Sequence, residues 1–337
     1  MDTEMGMMPG AEDLRNWFPA RVYWRGQGPM LDWCYLGDTR FTQPFFDNTM
    51  TKQMSRPFSR LFRHQTPIEL LGDILGQAPR LPPTGFIFHM SRCGSTLVSQ
   101  MLAALDRNIV ISEAPPIDSI LRAYVRDPSV TDDQRATWLR WIVGAFGRKR
   151  TGTETGYFIK FDSWSLIDLD LIERAFPHVP WIFLYRNPVE VMVSQLKGPG
   201  VQMIRGSIDR LLPGLPITET LQMPAEEYCA RVIGRFCEMA LLHSDRRNAK
   251  LVEYTELPGA VTGVIADHFG ITFSPDDVKI LSTAAKFDAK TPQMNFTPDS
   301  QAKKNTASDA VLRAAAEFTD PFYNRLRVKQ LEMDKAK

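Results

Sequence analysis

The chain has 337 residues, 44% of them hydrophobic and 23% charged, an ordinary globular composition with enough apolar material for a sizeable core. Forty Lys and Arg stand against thirty-nine Asp and Glu, for a formal charge of +1. That balance argues against a dedicated nucleic-acid binder, which carries a basic excess, but leaves room for a local basic pocket. The cysteines, Cys34, Cys93, Cys229 and Cys237, form no CxxC pair and the histidines no HxxxH, so neither a disulfide scaffold nor a metal site is expected. The acidic start MDTEMGMMPGAEDL lacks the apolar stretch of a secretory signal, and no apolar run approaches the ~20 residues of a membrane span. The expectation is a soluble, cytoplasmic protein without a transmembrane segment.

Residues 1–80 set Trp17, Phe18, Tyr23, Trp24, Trp33, Tyr35, Phe41, Phe45 and Phe46 among Gly, Pro, Asp and Asn. They are expected to form an irregular segment packed on the rest of the chain, ending in a short helix over 67–75. An aromatic wall for a substrate is the sharper alternative.

From residue 85 the pattern turns to alternating strands and helices. Residues 85–89 (GFIFH), 109–112 (IVIS), 157–161 (YFIKF), 181–185 (WIFLY) and 251–254 (LVEY) read as strands. Residues 97–105 carry apolar side chains at helical spacing, and further helices are predicted over 131–146 and 226–242. Near-continuous apolar strands separated by helices predict an α/β fold with a central, mostly parallel sheet flanked by helices. This core is assigned to 81–330. Two long loops, 198–224 and 291–306, fit lids or binding loops, with plain connectors as the alternative. Thr306-Ala-Ser-Asp309 fits a cap for a helix running through Phe318.

The stretch GFIFHMSRCGSTLVSQML is a strand, a tight loop with Gly94, and a helix opening at Ser95-Thr96. Free amide N–H groups and the helix dipole make such a junction an anion site. Gly94 lets the backbone approach the anion. It is not a Walker A loop, which would need Gly where His89 stands and Lys where Ser95 stands. A plain capped strand-to-helix turn is the alternative.

WIFLYRNPVEVMVSQL is a second strand–turn–helix. Asn187, Pro188 and Glu190 suit the N-cap, N1 and N3 positions, a structural task. Arg186 stands at the strand's carboxyl end, where a nucleotide kinase of this architecture more often places an acid for Mg²⁺. An arginine fork suits a phosphate without metal; a surface salt bridge is the alternative. Ser194 follows 194 − 186 = 8 residues later.

Together these motifs resemble the sulfotransferases that use 3′-phosphoadenosine 5′-phosphosulfate (PAPS). In that family [K/R]-S-G-[T/S]-T binds the 5′-phosphosulfate; here it reads Arg92-Cys93-Gly94-Ser95-Thr96. The family's R-[D/N]-P-x-[D/E]-x-x-x-S binds the 3′-phosphate; here Arg186-Asn187-Pro188-Val189-Glu190 closes at Ser194. Tyr254-Thr255-Glu256-Leu257 is similar to a strand end whose Tyr lies near the adenine. The resemblance covers roughly residues 86–257. It implies a P-loop-type three-layer fold, PAPS as cofactor, adenosine 3′,5′-bisphosphate as its product, and no metal.

There are departures. Cys93 replaces the usual Ser, no His stands in 157–171 to match the catalytic His of cytosolic relatives, and the C-terminal Arg-Lys-Gly clamp is missing. Lys303, with Lys304, is the expected substitute for that clamp. The resemblance implies in-line sulfuryl transfer to a hydroxyl or amine of a small-molecule, lipid or carbohydrate acceptor. Arg92 and Lys160 would act on the sulfuryl or leaving oxygens. Glu113 would be the general base, with Asp162 in reserve and helix capping as the plainer task for Glu113. Arg92, Glu113, Lys160, Arg186 and Tyr254 each fall at or just after the carboxyl end of a predicted strand, the ligand-binding edge of open parallel sheets. A phosphoryl-transferring kinase and a non-catalytic nucleotide-binding module are the alternatives. Acceptor and oligomeric state are not readable from these residues.

Overall fold

The computed structural model describes residues 14, 16–26, 28–76, 79–208, 211–291, 293–295 and 300–335. It forms two compact units: one of residues up to Thr84 with Leu102–Ile159 and Asp170–Pro177, the other of Gly85–Met101, Lys160–Leu169 and the chain from His178 onward.

In the first unit β1 (Trp17–Trp24) and β2 (Pro29–Tyr35) pair antiparallel, Trp17 opposite Tyr35 and Trp24 opposite Pro29, with a register shift between Pro19 and Arg21. β3 (Gln65–Pro67) adds to β2, Met30 opposite Pro67. The segment expected to be irregular is therefore a three-stranded sheet. Its strands escape recognition because they are buried on both faces, so polar residues do not alternate. Phe18, Leu31, Trp33 and Cys34 are nearly inaccessible, and Phe41 stacks on Phe46 at 5.6 Å. The predicted helix over 67–75 narrows to Leu70–Leu75, since Pro67 belongs to β3. The helix Asp132–Phe146 starts where the sequence places it. Thr131 and Gln134 close a reciprocal capping box.

The other strands are β4 (Gly85–His89), β5 (Asn108–Ser112), β6 (Gly156–Lys160), β7 (Trp181–Tyr185) and β8 (Ala249–Glu253). They form one parallel sheet in the order β5-β6-β4-β7-β8, flanked by helices. The α/β expectation holds. β4 lies where the order reverses, the position whose carboxyl end opens a ligand crevice in such sheets.

In the second unit β4 pairs with β7, Phe86 opposite Trp181 and His89 opposite Leu184, and β7 with β8, Tyr185 opposite Glu253. This puts Arg186 and Tyr254 just past neighbouring strand ends. The helix Asp320–Lys335 lies beyond the last predicted helix, which ended at Phe318. It buries Tyr323, Leu326 and Gln330 at spacings of three and four. Polar contacts fasten it to the sheet: Tyr185 Oη donates to Gln330 Oε1 at 2.5 Å, and Tyr323 Oη to Glu253 Oε1 at 2.6 Å. Lys250 pairs with Asp334. The 198–224 stretch holds two short helical segments, Val201–Met203 and Ile217–Gln222. The 291–306 stretch holds a helix over Ser300–Asn305.

Candidate active site

The anion loop is built by backbone conformation. Ser91, Arg92 and Gly94 take φ values of +70°, +52° and +86°. Left-handed residues in a tight turn aim successive N–H groups into a concave nest, which here runs into the amides opening the helix Ser95–Ala103. Gly94 is required twice over. Its φ favours glycine, and a Cβ there would stand 2.6 Å from Leu257 Cδ1 and 3.0 Å from Tyr254 Cδ2. His89 pins the start of the loop. Its Nδ1 accepts the Ser91 N–H at 3.0 Å, which leaves Nε2 to donate to Phe161 O at 3.0 Å, so the ring is a neutral imidazole.

Arg186 is buried, not a surface residue. Its Nε donates to Glu190 Oε2 at 2.7 Å, and its Nη2 reaches the same oxygen at 2.6 Å and Ser300 Oγ at 2.9 Å. Its guanidinium lies 4.0 Å from the Tyr254 ring centroid, within cation–π range. Glu190 therefore does more than cap a helix: its carboxylate holds Arg186 in place and takes Lys304 Nζ at 3.3 Å. Asn187 does cap, accepting the N–H groups of Val189 and Glu190.

These groups border one cleft. Arg92, Cys93, Gly94, Ser95, Thr96, Arg186, Ser194, Tyr254 and Lys303 all line it. Leu97 and the stretch Phe287, Asp288, Ala289 and Lys290 complete the wall, and none of the latter four was singled out from the sequence. Their stretch follows the helix Pro275–Ala284, and only its turn chemistry marks it: Asp288 Oδ1 accepts the N–H groups of Lys290 and Thr291. Four cationic side chains face one carboxylate in the lining, a bias toward anions.

Cys93 lines the cleft, but its thiol turns inward and donates to Leu184 O at 3.0 Å. Burial pushes that thiol up to about 11, against the pull of hydrogen bonds and of the Lys160 and Arg186 charges. Only the backbone of Cys93 serves the loop. Iodoacetamide at pH 8 should therefore leave Cys93 unmodified in the native protein and label it after denaturation, read by mass spectrometry of the peptide. Native labelling would show the thiol to be open to solvent.

The remaining candidates stand apart from this lining. Lys160 ends β6 and is 1% exposed, so it is no solvent-facing lysine; it does not line the cleft. Asp162 precedes the Ser163–Asp168 turn and is half-buried. Glu113 belongs to the first unit, directly after β5, half-buried and with a φ of +52°.

Among the described residues no group of three or more His, Cys, Asp or Glu side chains could hold a metal ion, and no helix is long and apolar enough to cross a membrane. No family model and no curated protein matches the chain. Among solved structures it is similar to the sulfotransferase domain from the curacin biosynthetic pathway, at 16% identity over 71% of this chain and 98% of that one, with a TM-score of 0.43. It is similar to the sulfotransferase domain from the Synechococcus PCC 7002 olefin synthase at 17% identity over 72% and 97%, TM-score 0.43. A Mycobacterium tuberculosis sulfotransferase matches at 14% identity over 80% and 83%, TM-score 0.40.

Proposed function

We propose that the chain is a sulfotransferase that draws its sulfuryl group from PAPS and passes it to a hydroxyl or amine. One observation carries the reading. Nine residues from four separate stretches, named for this cofactor from the sequence, line a single cleft. The residues fit the group: cations outnumber carboxylates in the lining, and Gly94 leaves backbone amides open where a Cβ has no room.

Arg92 and the amides around Gly94 would take the 5′-phosphosulfate. Arg186, Ser194 and Lys303 would take the 3′-phosphate, with Tyr254 beside the base. When bound, the cofactor supplies an activated sulfuryl group. The chain's part is to hold both anionic ends, exclude water and remove the acceptor's proton. The resemblance assigns the proton to Glu113, with Asp162 second, and the leaving-oxygen charge to Lys160.

Adenosine 3′,5′-bisphosphate should raise the melting temperature well beyond 5′-AMP or ATP at equal concentration. A ligand at a hundred times its Kd stabilises by about 2.7 kcal/mol. Equal shifts from all three nucleotides would remove the reading. With labelled PAPS and a panel of phenol, sugar, amine and lipid acceptors, Glu113→Gln or Lys160→Ala should abolish the added SO₃ while bisphosphate affinity stays.

A further inference from the structure

Ser91 and Arg92 are consecutive non-glycine residues in the left-handed region. Such residues are strained and persist only where their surroundings over-determine them. Arg92 O accepts from Arg186 Nη1 at 3.5 Å, and Arg92 Nη2 donates to Gly198 O at 2.5 Å. The Ser91 N–H is held by His89. The Ser91 hydroxyl is held from across the chain by Gln195, whose Nε2 donates to Ser91 Oγ at 2.9 Å. The other end of the same amide, Oε1, accepts the Gly200 N–H at 3.0 Å.

Gln195 is 1% exposed, yet both ends of its amide are partnered, one on the anion loop and one on the Gly198-Pro199-Gly200 turn. Neither Ser91 nor Gln195 lines the cleft. The Ser91 hydroxyl is therefore a handle for Gln195. A buried amide with both ends used is a geometric constraint, because leaving either end unmet carries a desolvation cost.

We propose that Gln195 is a positioning residue: it acts through Ser91 to hold the loop in the conformation that aims its amides at the 5′ anion of the cofactor. It touches no ligand atom. The assignment of that anion rests on the sulfotransferase reading; the clamp on the loop does not.

Gln195→Met keeps length and volume but loses both hydrogen bonds, and Ser91→Ala removes the handle. The readout is the ratio of affinities for adenosine 3′,5′-bisphosphate and adenosine 3′-monophosphate, measured by titration calorimetry on the full chain. The two ligands differ only at the 5′ anion. The ratio should fall about tenfold in each single variant and no further in the double variant, since both changes cut one link. Affinity for the 3′-monophosphate should stay within about twofold, which a general loosening of the fold would not allow. An unchanged ratio, equal losses for both nucleotides, or multiplying losses in the double variant would each overturn the proposal. Should the wild-type chain bind neither nucleotide, the sulfotransferase reading fails and inorganic pyrophosphate becomes the probe of the loop. Weaker pyrophosphate binding by Gln195→Met then supports the clamp; equal binding, or none by the wild type, overturns it.

Discussion

Replacing Arg186 with alanine is expected to cut the discrimination between adenosine 3′,5′-bisphosphate and 5′-AMP, and to destabilise the protein at the same time. A hydrogen bond to a charged group contributes about 1.5–3 kcal/mol, so losing one to the 3′-phosphate should weaken the bisphosphate on the order of 10- to 100-fold. Affinity for 5′-AMP, which lacks that phosphate, should move little. The stability effect has a separate origin. Arg186 and Glu190 are 6% and 5% exposed at their side chains and form a buried pair. Removing one member of such a pair costs about 3–5 kcal/mol, because the other charge is stranded. Lys304 at 3.3 Å from Glu190 Oε1 shields the stranded carboxylate, which favours the lower end.

The two effects separate in a double variant. Arg186→Ala with Glu190→Gln removes the stranded charge, so the melting temperature should recover most of its loss. Nucleotide discrimination should not recover, because no guanidinium has been restored. Titration calorimetry and thermal denaturation on the four proteins of this cycle supply both readouts. Discrimination that is undiminished in Arg186→Ala, or that returns with Glu190→Gln, would mean that the 3′-phosphate is held elsewhere and that Arg186 serves only the fold.

β4 and β7 were legible to the residue because each is a continuous apolar run bounded by Pro, Gly or Arg, and both lie inside the sheet. Eight of the nine cleft residues lie in motifs whose spacing survives in the chain, and Lys303 was named in place of a motif that is missing. The pairing of Glu190 with Arg186 was hidden by sufficiency: a Glu at N3 of a helix already has a reason to be there. His89, Gln195 and Ser300 were hidden by distance. Their partners Phe161, Ser91 and Arg186 lie 72, 104 and 114 residues away, and no local pattern reports a contact of that kind. The burial of Lys160 agrees with the apolar residues that flank it in the sequence. β1 and β2 failed by periodicity alone, since burial on both faces erases the alternation that marks a surface strand.

A single methyl group at position 94 should disable both ends of the cleft. Gly94→Ala forces an L-residue to φ +86°, a left-handed conformation that costs about 1–2 kcal/mol. The new Cβ would also lie 2.6 Å from Leu257 Cδ1 and 3.0 Å from Tyr254 Cδ2, so the Leu257 side chain must turn aside and the Tyr254 ring must yield, or the loop must move. If the loop moves, its amides lose their aim at the 5′ anion. If the ring yields, Tyr254 shifts the face on which Arg186 rests at 4.0 Å. Either response weakens the bisphosphate, by at least about tenfold on the energies above. Movement of the ring weakens the 3′-monophosphate as well, which sets Gly94→Ala apart from the loop-selective Gln195→Met. A second substitution, Leu257→Ala, removes the nearest atom. In the Gly94→Ala background it should restore part of the lost affinity, with the backbone cost left over. Full affinity in Gly94→Ala, measured by titration calorimetry on a protein with an intact circular dichroism spectrum, would show that no anion approaches the backbone at this glycine. The loop would then be a plain strand-to-helix turn, and the cations of the cleft would need another ligand.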